Sequence, residues 1–171
     1  MRDRRPFTAD EVEKIVVHGS QVTKDHVFWK YEPSGSTNMQ FCMPYVVATL
    51  LLEGDFFVDQ CNEDKMADPQ RIAHSRKVEF IAEPEITKMG LRYYVRVEIF
   101  LKDGTRMEET VEAQRGSETR FASESEIVGK FEKLVKHVLP AKQVEEIRDM
   151  VLGLDKLDDA ARLAKALLKA S

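Results

Sequence analysis

Two short stretches carry side chains able to act on a small molecule. In Gln40-Phe41-Cys42-Met43-Pro44-Tyr45 an amide, a thiol and a phenol surround a proline where an apolar helical pattern begins. The first N–H groups of a helix lack internal partners and favour anionic ligands, so these side chains would stand beside a suitable anion seat. Further on, Arg115-Gly116-Ser117 sets a guanidinium beside a glycine, a pair able to hold a carboxylate. By residue type alone each stretch also fits a cap or turn, and Cys42 between Phe41 and Met43 fits a small core residue. His18, His26, His74 and His137 are dispersed, without HxH, HExxH or i,i+4 spacing, so no metal site is expected. His18 falls opposite Ile15 and Val17 on a strand and reads as a surface or cleft-edge residue. Asp55, Asp59, Glu63, Asp64 and Asp68 lack the spacing and glycine of a calcium loop, and read as caps and turns. Motifs of the GxGxxG, GxxxxGK[ST] and GxSxG types do not occur, which leaves no case for a dinucleotide fold, a P-loop or a nucleophile elbow.

The elements that must position these residues follow from composition and period. The 171 residues are 43% hydrophobic and 33% charged, as in an ordinary globular domain, and a chain of this size buries about 70% of its unfolded surface without disulfides or metal. A net charge of -4 argues against nucleic acid and anionic lipid as partners. The longest apolar run, Tyr45 to Leu52, is far short of the roughly 20 residues that span a bilayer, and the first residues lack the apolar run of a leader, so a cytoplasmic location is expected. Cys42 and Cys61 form no CxxC, which suits a reducing compartment.

Thr8 and Glu11 have capping-box spacing, predicting one helical turn feeding a strand over about 12–22. Val27 to Pro33 reads as extended, and Ser34 to Thr37 as a loop. A buried helix is predicted from about Asn38 to Glu53, starting close to Met43 because of Pro44 and closed by Gly54. Asp68-Pro69 opens a short helix to about Arg76, followed by a strand Val78 to Ala82. Alternation from Tyr93 to Leu101, the turn Asp103-Gly104 and the return from Met107 to Glu112 predict an antiparallel hairpin. Beyond Ser117 the pattern is helical: a helix capped by Ser123 or Ser125 and ended by Pro140, a second bearing Val144, Ile147, Val151 and Leu154, and a third from Asp158. The expected architecture is α+β: an antiparallel sheet packed with helices over residues 1–139, then a helical extension over residues 140–171. The apolar stripes of that extension, with Val144, Ile147, Leu163 and Leu167, must be covered by a partner, a second copy or a rearranged helix.

The stretch Asn38 to Gly54, NMQFCMPYVVATLLLEG, resembles the MmgE/PrpD family signature AQFSMPYVVAxALLEG. The order of later segments agrees: Asp68-Pro69, Leu101 to Gly104 (LKDG), Arg115-Gly116, Ile127 to Leu134 (IVGKFEKL) and a closing helix over Leu154 to Leu163. Cys42 stands where the family usually has serine, and Arg120-Phe121-Ala122 replaces its NPL. The family comprises 2-methylcitrate dehydratases, cis-aconitate decarboxylases and an iminodisuccinate epimerase, lyases and an isomerase that move a proton beside a carboxylate without metal or organic cofactor. The resemblance implies the smaller α+β domain of such an enzyme. Its active site lies against a large helical domain that carries most of the acid and base groups, including a lysine in a KPYPxC-like segment without counterpart here. It implies a cytoplasmic enzyme of propionate catabolism, a small polycarboxylate substrate, and a homo-oligomer or helical partner subunit. Tyr45 is the implied catalytic residue, and Gln40, Cys42 and Arg115 are the implied substrate contacts. The alternative is a non-catalytic module that binds a carboxylate or another protein.

Overall fold

The computed structural model describes Met1 and residues 3–168 and consists of two compact units, Met1–Gln114 and Arg115–Ser171. In the first, the predicted capping box forms: the Thr8 N–H donates to Glu11 Oε2 at 2.7 Å, and a 3-10 turn over Ala9–Glu11 leads into β1, Val12–Gly19. The strand ends three residues earlier than expected because the Ser20 side chain accepts the Thr23 N–H and starts helix α1, Gln21–Val27. Residues 28–35, which include most of the extended segment expected from Val27 to Pro33, form no strand, and Val27 itself ends α1; the second half of the loop expected at 34–37 already belongs to α2, Ser36–Phe41. Helix α3, Met43–Glu53, follows after a break at Cys42, whose ψ of 101° is extended. Pro44 explains the break: it cannot donate to Gln40, and its ring would strike that residue's carbonyl. Gly54 closes α3 with φ 77°, in the left-handed region glycine occupies without strain. Two short helices, α4 (Glu63–Met66) and α5 (Pro69–Ser75), are capped by the side chains of Asn62 and Asp68.

The chain then returns to β1 through β2, Val78–Ala82, passes α6, Pro84–Lys88, and finishes the unit with β3, Val95–Leu101, and β4, Arg106–Val111. Strand order is β2-β1-β3-β4. The predicted hairpin is antiparallel, with Ile99 opposite Met107, and β1 lies antiparallel to β3, with Val17 opposite Val97. The sheet is nevertheless mixed rather than wholly antiparallel: β1 and β2 run parallel, Ile15 beside Val78. The helices between residues 20 and 77 supply the long crossover that a parallel pair requires. The core-facing side of the sheet, Val12, Ile15, Val17, Val78, Phe80, Ile99 and Leu101, closes over Leu51 of α3 and Phe7. A register shift between Val12 and Lys14 places Val12 on the same face as Ile15.

At the end of β1, a Cβ on Gly19 would stand 2.7 Å from the Phe80 ring, and Phe80 is itself in the core. Gly19→Ala is therefore expected to destabilise the chain by about 1–3 kcal/mol through overpacking, which urea unfolding would read as a lower midpoint with unchanged slope.

In the second unit, α7 (Glu124–Val135) begins at Ser123, which forms the predicted capping box with Glu126. Pro140 precedes α8, Ala141–Leu152, and a 3-10 turn at Leu154–Lys156 leads to α9, Ala161–Ala166. Arg148 Nη1 donates to Glu132 Oε1 at 3.2 Å, joining α8 to α7, and Gln143 Nε2 donates to the Ala166 carbonyl at 2.6 Å, joining α8 to α9. These links join α7, α8 and α9 within the second compact unit. Val144 and Ile147 are buried within the chain, Leu163 is half-buried, and Leu167 is exposed. The last three residues of the predicted 140–171 extension lie outside the described ones. Among the described residues, no helix is long and apolar enough to cross a membrane.

Candidate functional site

Tyr45 sits in the first turn of α3 because Pro44 fixes where that helix can start, and its ring points into a second apolar cluster with Tyr31, Met39 and Cys42. Its exposure is 0%. The ring lies 4.3 Å from that of Tyr31, centroid to centroid, and meets Phe56 edge-on at 6.4 Å. The Tyr45 hydroxyl donates to the Lys65 carbonyl at 3.0 Å and the Tyr31 hydroxyl to the Met66 carbonyl at 3.0 Å. Two phenols thus satisfy carbonyls in the last turn of α4, where a short helix leaves acceptors over. Burial raises the Tyr45 phenol above its usual range, with the nearby Arg71 acting in the opposite direction. It is a neutral donor at physiological pH.

Cys42 is also fully buried; its thiol donates to the Trp29 carbonyl at 3.4 Å, and burial pushes it up. Gln40, two residues earlier on α2, is exposed. Arg115 is in the second unit, exposed, with Nε 3.1 Å from Glu126 Oε1. Tyr45 and Cys42 therefore meet in one cluster, and Gln40 stands outside it. Asn38, in the same signature stretch, accepts the Trp29 indole N–H at 2.6 Å and donates to the Glu32 carbonyl at 2.6 Å, tying the irregular chain to α2.

Sequence reasoning missed the polar groups that hold the cover of this cluster. Glu53, at the end of α3, accepts from Gln60 Nε2 at 2.9 Å and from Lys65 Nζ at 2.8 Å, and pairs with the buried Arg71. Arg71 Nε lies 3.2 Å from Asp68 Oδ2. The available signal was that Glu53 and Asp68 stand inside segments already singled out by their pattern.

His18 corrects a second expectation. It is buried rather than at the surface, with Nδ1 2.5 Å from Glu83 Oε1 and Nε2 3.4 Å from Glu98 Oε2. Arg96 Nη2 donates to Glu83 Oε1 at 2.6 Å, and Arg106 Nη2 to Glu98 Oε1 at 2.5 Å. Burial works against Glu83, but Arg96 and His18 outweigh it and lower its carboxyl; Arg106, with help from His18, lowers that of Glu98 against its burial. Among the described residues no group of three His, Cys, Asp or Glu side chains is placed to hold a metal ion.

Residues 1–156 match the MmgE/PrpD C-terminal domain. The chain belongs to the MmgE/PrpD family. Among curated proteins, it is 28% identical over 166 residues to a cis-aconitate decarboxylase of Aspergillus terreus and to one of Aspergillus terreus strain NIH 2624. Each alignment covers 91% of this chain and 33% of the relative, so the chain spans about a third of the length of the curated relatives it matches. As an MmgE/PrpD member it carries the family's C-terminal α+β domain, and it is related to lyases.

Proposed function

We propose that this chain forms one wall of the active site of a lyase acting on small polycarboxylates. Turnover needs a helical domain, carried on the same longer polypeptide or on a separate subunit. The observation that carries this is the match of residues 1–156 to a C-terminal domain, together with coverage of only 33% of the decarboxylase relatives. Eliminating water from a substrate such as 2-methylcitrate requires a base to take the proton next to a carboxylate and an acid to protonate the departing hydroxyl. One neutral phenol cannot do both. Tyr45 supplies a hydrogen bond to a substrate carboxylate or one of the two proton transfers; Gln40 and Cys42 border it on the α2–α3 segment, and Arg115 is a separate carboxylate contact in the second unit. For the Tyr45 hydroxyl to reach substrate, its bond to the Lys65 carbonyl has to be exchanged.

Surface chemistry supports a helical neighbour. The first unit has an open groove of about 680 Å³ with Val22, Phe41, Met43 and Tyr93 in its lining; Phe41 and Tyr93 are 56% and 60% exposed. The second unit exposes Ile127, Val138 and Val151. Apolar surface of this kind is what a docked domain or second copy covers. The enzyme so assembled works in the cytoplasm, where Cys42 and Cys61 stay free, takes neither metal nor organic cofactor, and serves propionate catabolism as a 2-methylcitrate dehydratase.

The complete burial of Tyr45 and Cys42 favours a second function, a non-catalytic module that binds a carboxylate or another protein. Two preparations separate them: the chain alone, and a chimera in which it replaces the C-terminal third of the Aspergillus terreus decarboxylase. Each is assayed with 2-methylcitrate and with cis-aconitate. The chain alone is expected to be inactive and the chimera active. Turnover by the chain alone at the rate of intact relatives would overturn the shared-site proposal. A stable homodimer whose polycarboxylate affinity survives Tyr45→Phe would establish the second.

A further inference from the structure

We infer that Glu53 is a positioning residue for Tyr45: its carboxylate fixes the segment whose Lys65 carbonyl receives the Tyr45 hydroxyl. The inference deepens the proposal that Tyr45 acts on substrate and rests on it for its functional meaning. Tyr45 and Glu53 stand at opposite ends of α3, and the chain between residues 60 and 71 runs back along the helix and touches both. At the Glu53 end, Lys65 Nζ lies 2.8 Å from both carboxylate oxygens, Gln60 Nε2 donates at 2.9 Å, and the Arg71 guanidinium completes the set. At the Tyr45 end, the same segment presents the Lys65 and Met66 carbonyls to the two phenols.

Lys65 belongs to both ends: its side chain holds Glu53 while its carbonyl holds Tyr45. A four-residue helix such as α4 is too short to hold its own shape, so its position comes from its anchors. Arg71 makes the Glu53 anchor demanding: its side chain is only 5% exposed and without Glu53 would keep Asp68 at Nε alone, a costly loss for a buried guanidinium. The orientation of the Tyr45 hydroxyl is thus set from the far end of the helix, through Lys65.

The test observes Tyr45 in the chain itself, by NMR titration of 13C-labelled tyrosines, with the Tyr45 signal assigned from Tyr45→Phe. In the wild-type chain the Tyr45 signal stays un-ionised above the ordinary tyrosine midpoint of about 10. In Glu53→Gln it is expected to shift in position and titrate toward that midpoint, with amide exchange at residues 65–67 faster by roughly tenfold or more, as for the loss of a charged hydrogen bond. Glu53→Asp should recover part of the wild-type behaviour, and Tyr93, exposed in the wild type, should not respond. A merely structural carboxylate would lower the unfolding midpoint and leave the Tyr45 titration in place. If Glu53→Gln does not fold, Lys65→Met decides: it keeps the carbonyl and removes the anchor, and is expected to change Tyr45 in the same direction. An unchanged Tyr45 signal in a folded Glu53→Gln, or in Lys65→Met, overturns the inference. No substrate enters these readouts, so full turnover by a Tyr45→Phe chimera would defeat the role of Tyr45 in the reaction without touching its link to Glu53.

Discussion

Tyr45→Ala is expected to destabilise the chain by about 4 kcal/mol, within the range for large aromatic truncations in a core. Its ring is fully buried, packed against Tyr31 and Phe56, and the void left behind would be lined in part by Tyr31, which its own hydrogen bond to the Met66 carbonyl holds in place. Tyr45→Phe keeps that volume and loses only the bond to the Lys65 carbonyl, at a cost of about 1 kcal/mol. In the chimera the hydroxyl matters more than it does for stability. If the hydroxyl transfers a proton, Tyr45→Phe should reduce turnover by roughly 10²–10⁴-fold, the usual contribution of a positioned acid or base. Urea unfolding of the chain and turnover of the chimera together separate packing from chemistry: equal stability losses for the two variants would contradict the packing assignment.

Removing the Glu98 carboxylate is expected to have the second largest effect. Glu98 is buried between His18 and Arg106, so Glu98→Ala leaves His18 with Glu83 alone and Arg106 with Glu108 alone, at a cost of about 3 kcal/mol, the upper end for losing hydrogen bonds to charged groups. The pH dependence has a definite sign. Glu83 and Glu98 have folded-state carboxyls lowered by their basic neighbours. Each contributes stability that is fully present above the unfolded-state value of about 4.3 and is lost as pH falls through the lower, folded-state value. The wild-type melting temperature should therefore fall on acidification below about pH 5, and Glu98→Gln should show a shallower fall. Parallel curves for the two proteins between pH 7 and pH 3 would show that Glu98 is not held as its geometry indicates.

What could be read from the residues was mostly local. The capping boxes at Thr8 and Ser123, the left-handed Gly54, the Asp68-Pro69 helix start and the Asp103-Gly104 turn all formed, because each depends on neighbours within a few positions. The start of α1 at Ser20 was hidden because the β-branched Val22 and Thr23 extend the strand pattern, and only the Ser20 cap decides the competition. The start of α2 at Ser36 was hidden because Ser34 to Thr37 reads as a loop, and Pro44 splits the helical pattern expected from Asn38 onward into two helices. The parallel pairing of β1 with β2 has no local signal at all. The candidate site divides the same way. Tyr45 and Cys42 stand out by type and pattern, but the partners that determine what Tyr45 and His18 can do, Lys65 and Glu53 for one, Glu83 and Glu98 for the other, lie far along the chain.

The strand order carries a consequence for how this molecule comes to exist. Of the two inner strands, β1 precedes the rest of the sheet in the chain, and both of its neighbours, residues 78–82 and 95–101, emerge long afterwards. Until Leu101 has left the ribosome, Val12, Ile15 and Val17 have no complete seat, and the early strand must wait with its apolar side uncovered. Such distant pairing belongs to slow folding and to exposure during biogenesis. The burden of reaching the native state therefore falls on the interval in which residues 12–101 are being made, before the C-terminal helices exist.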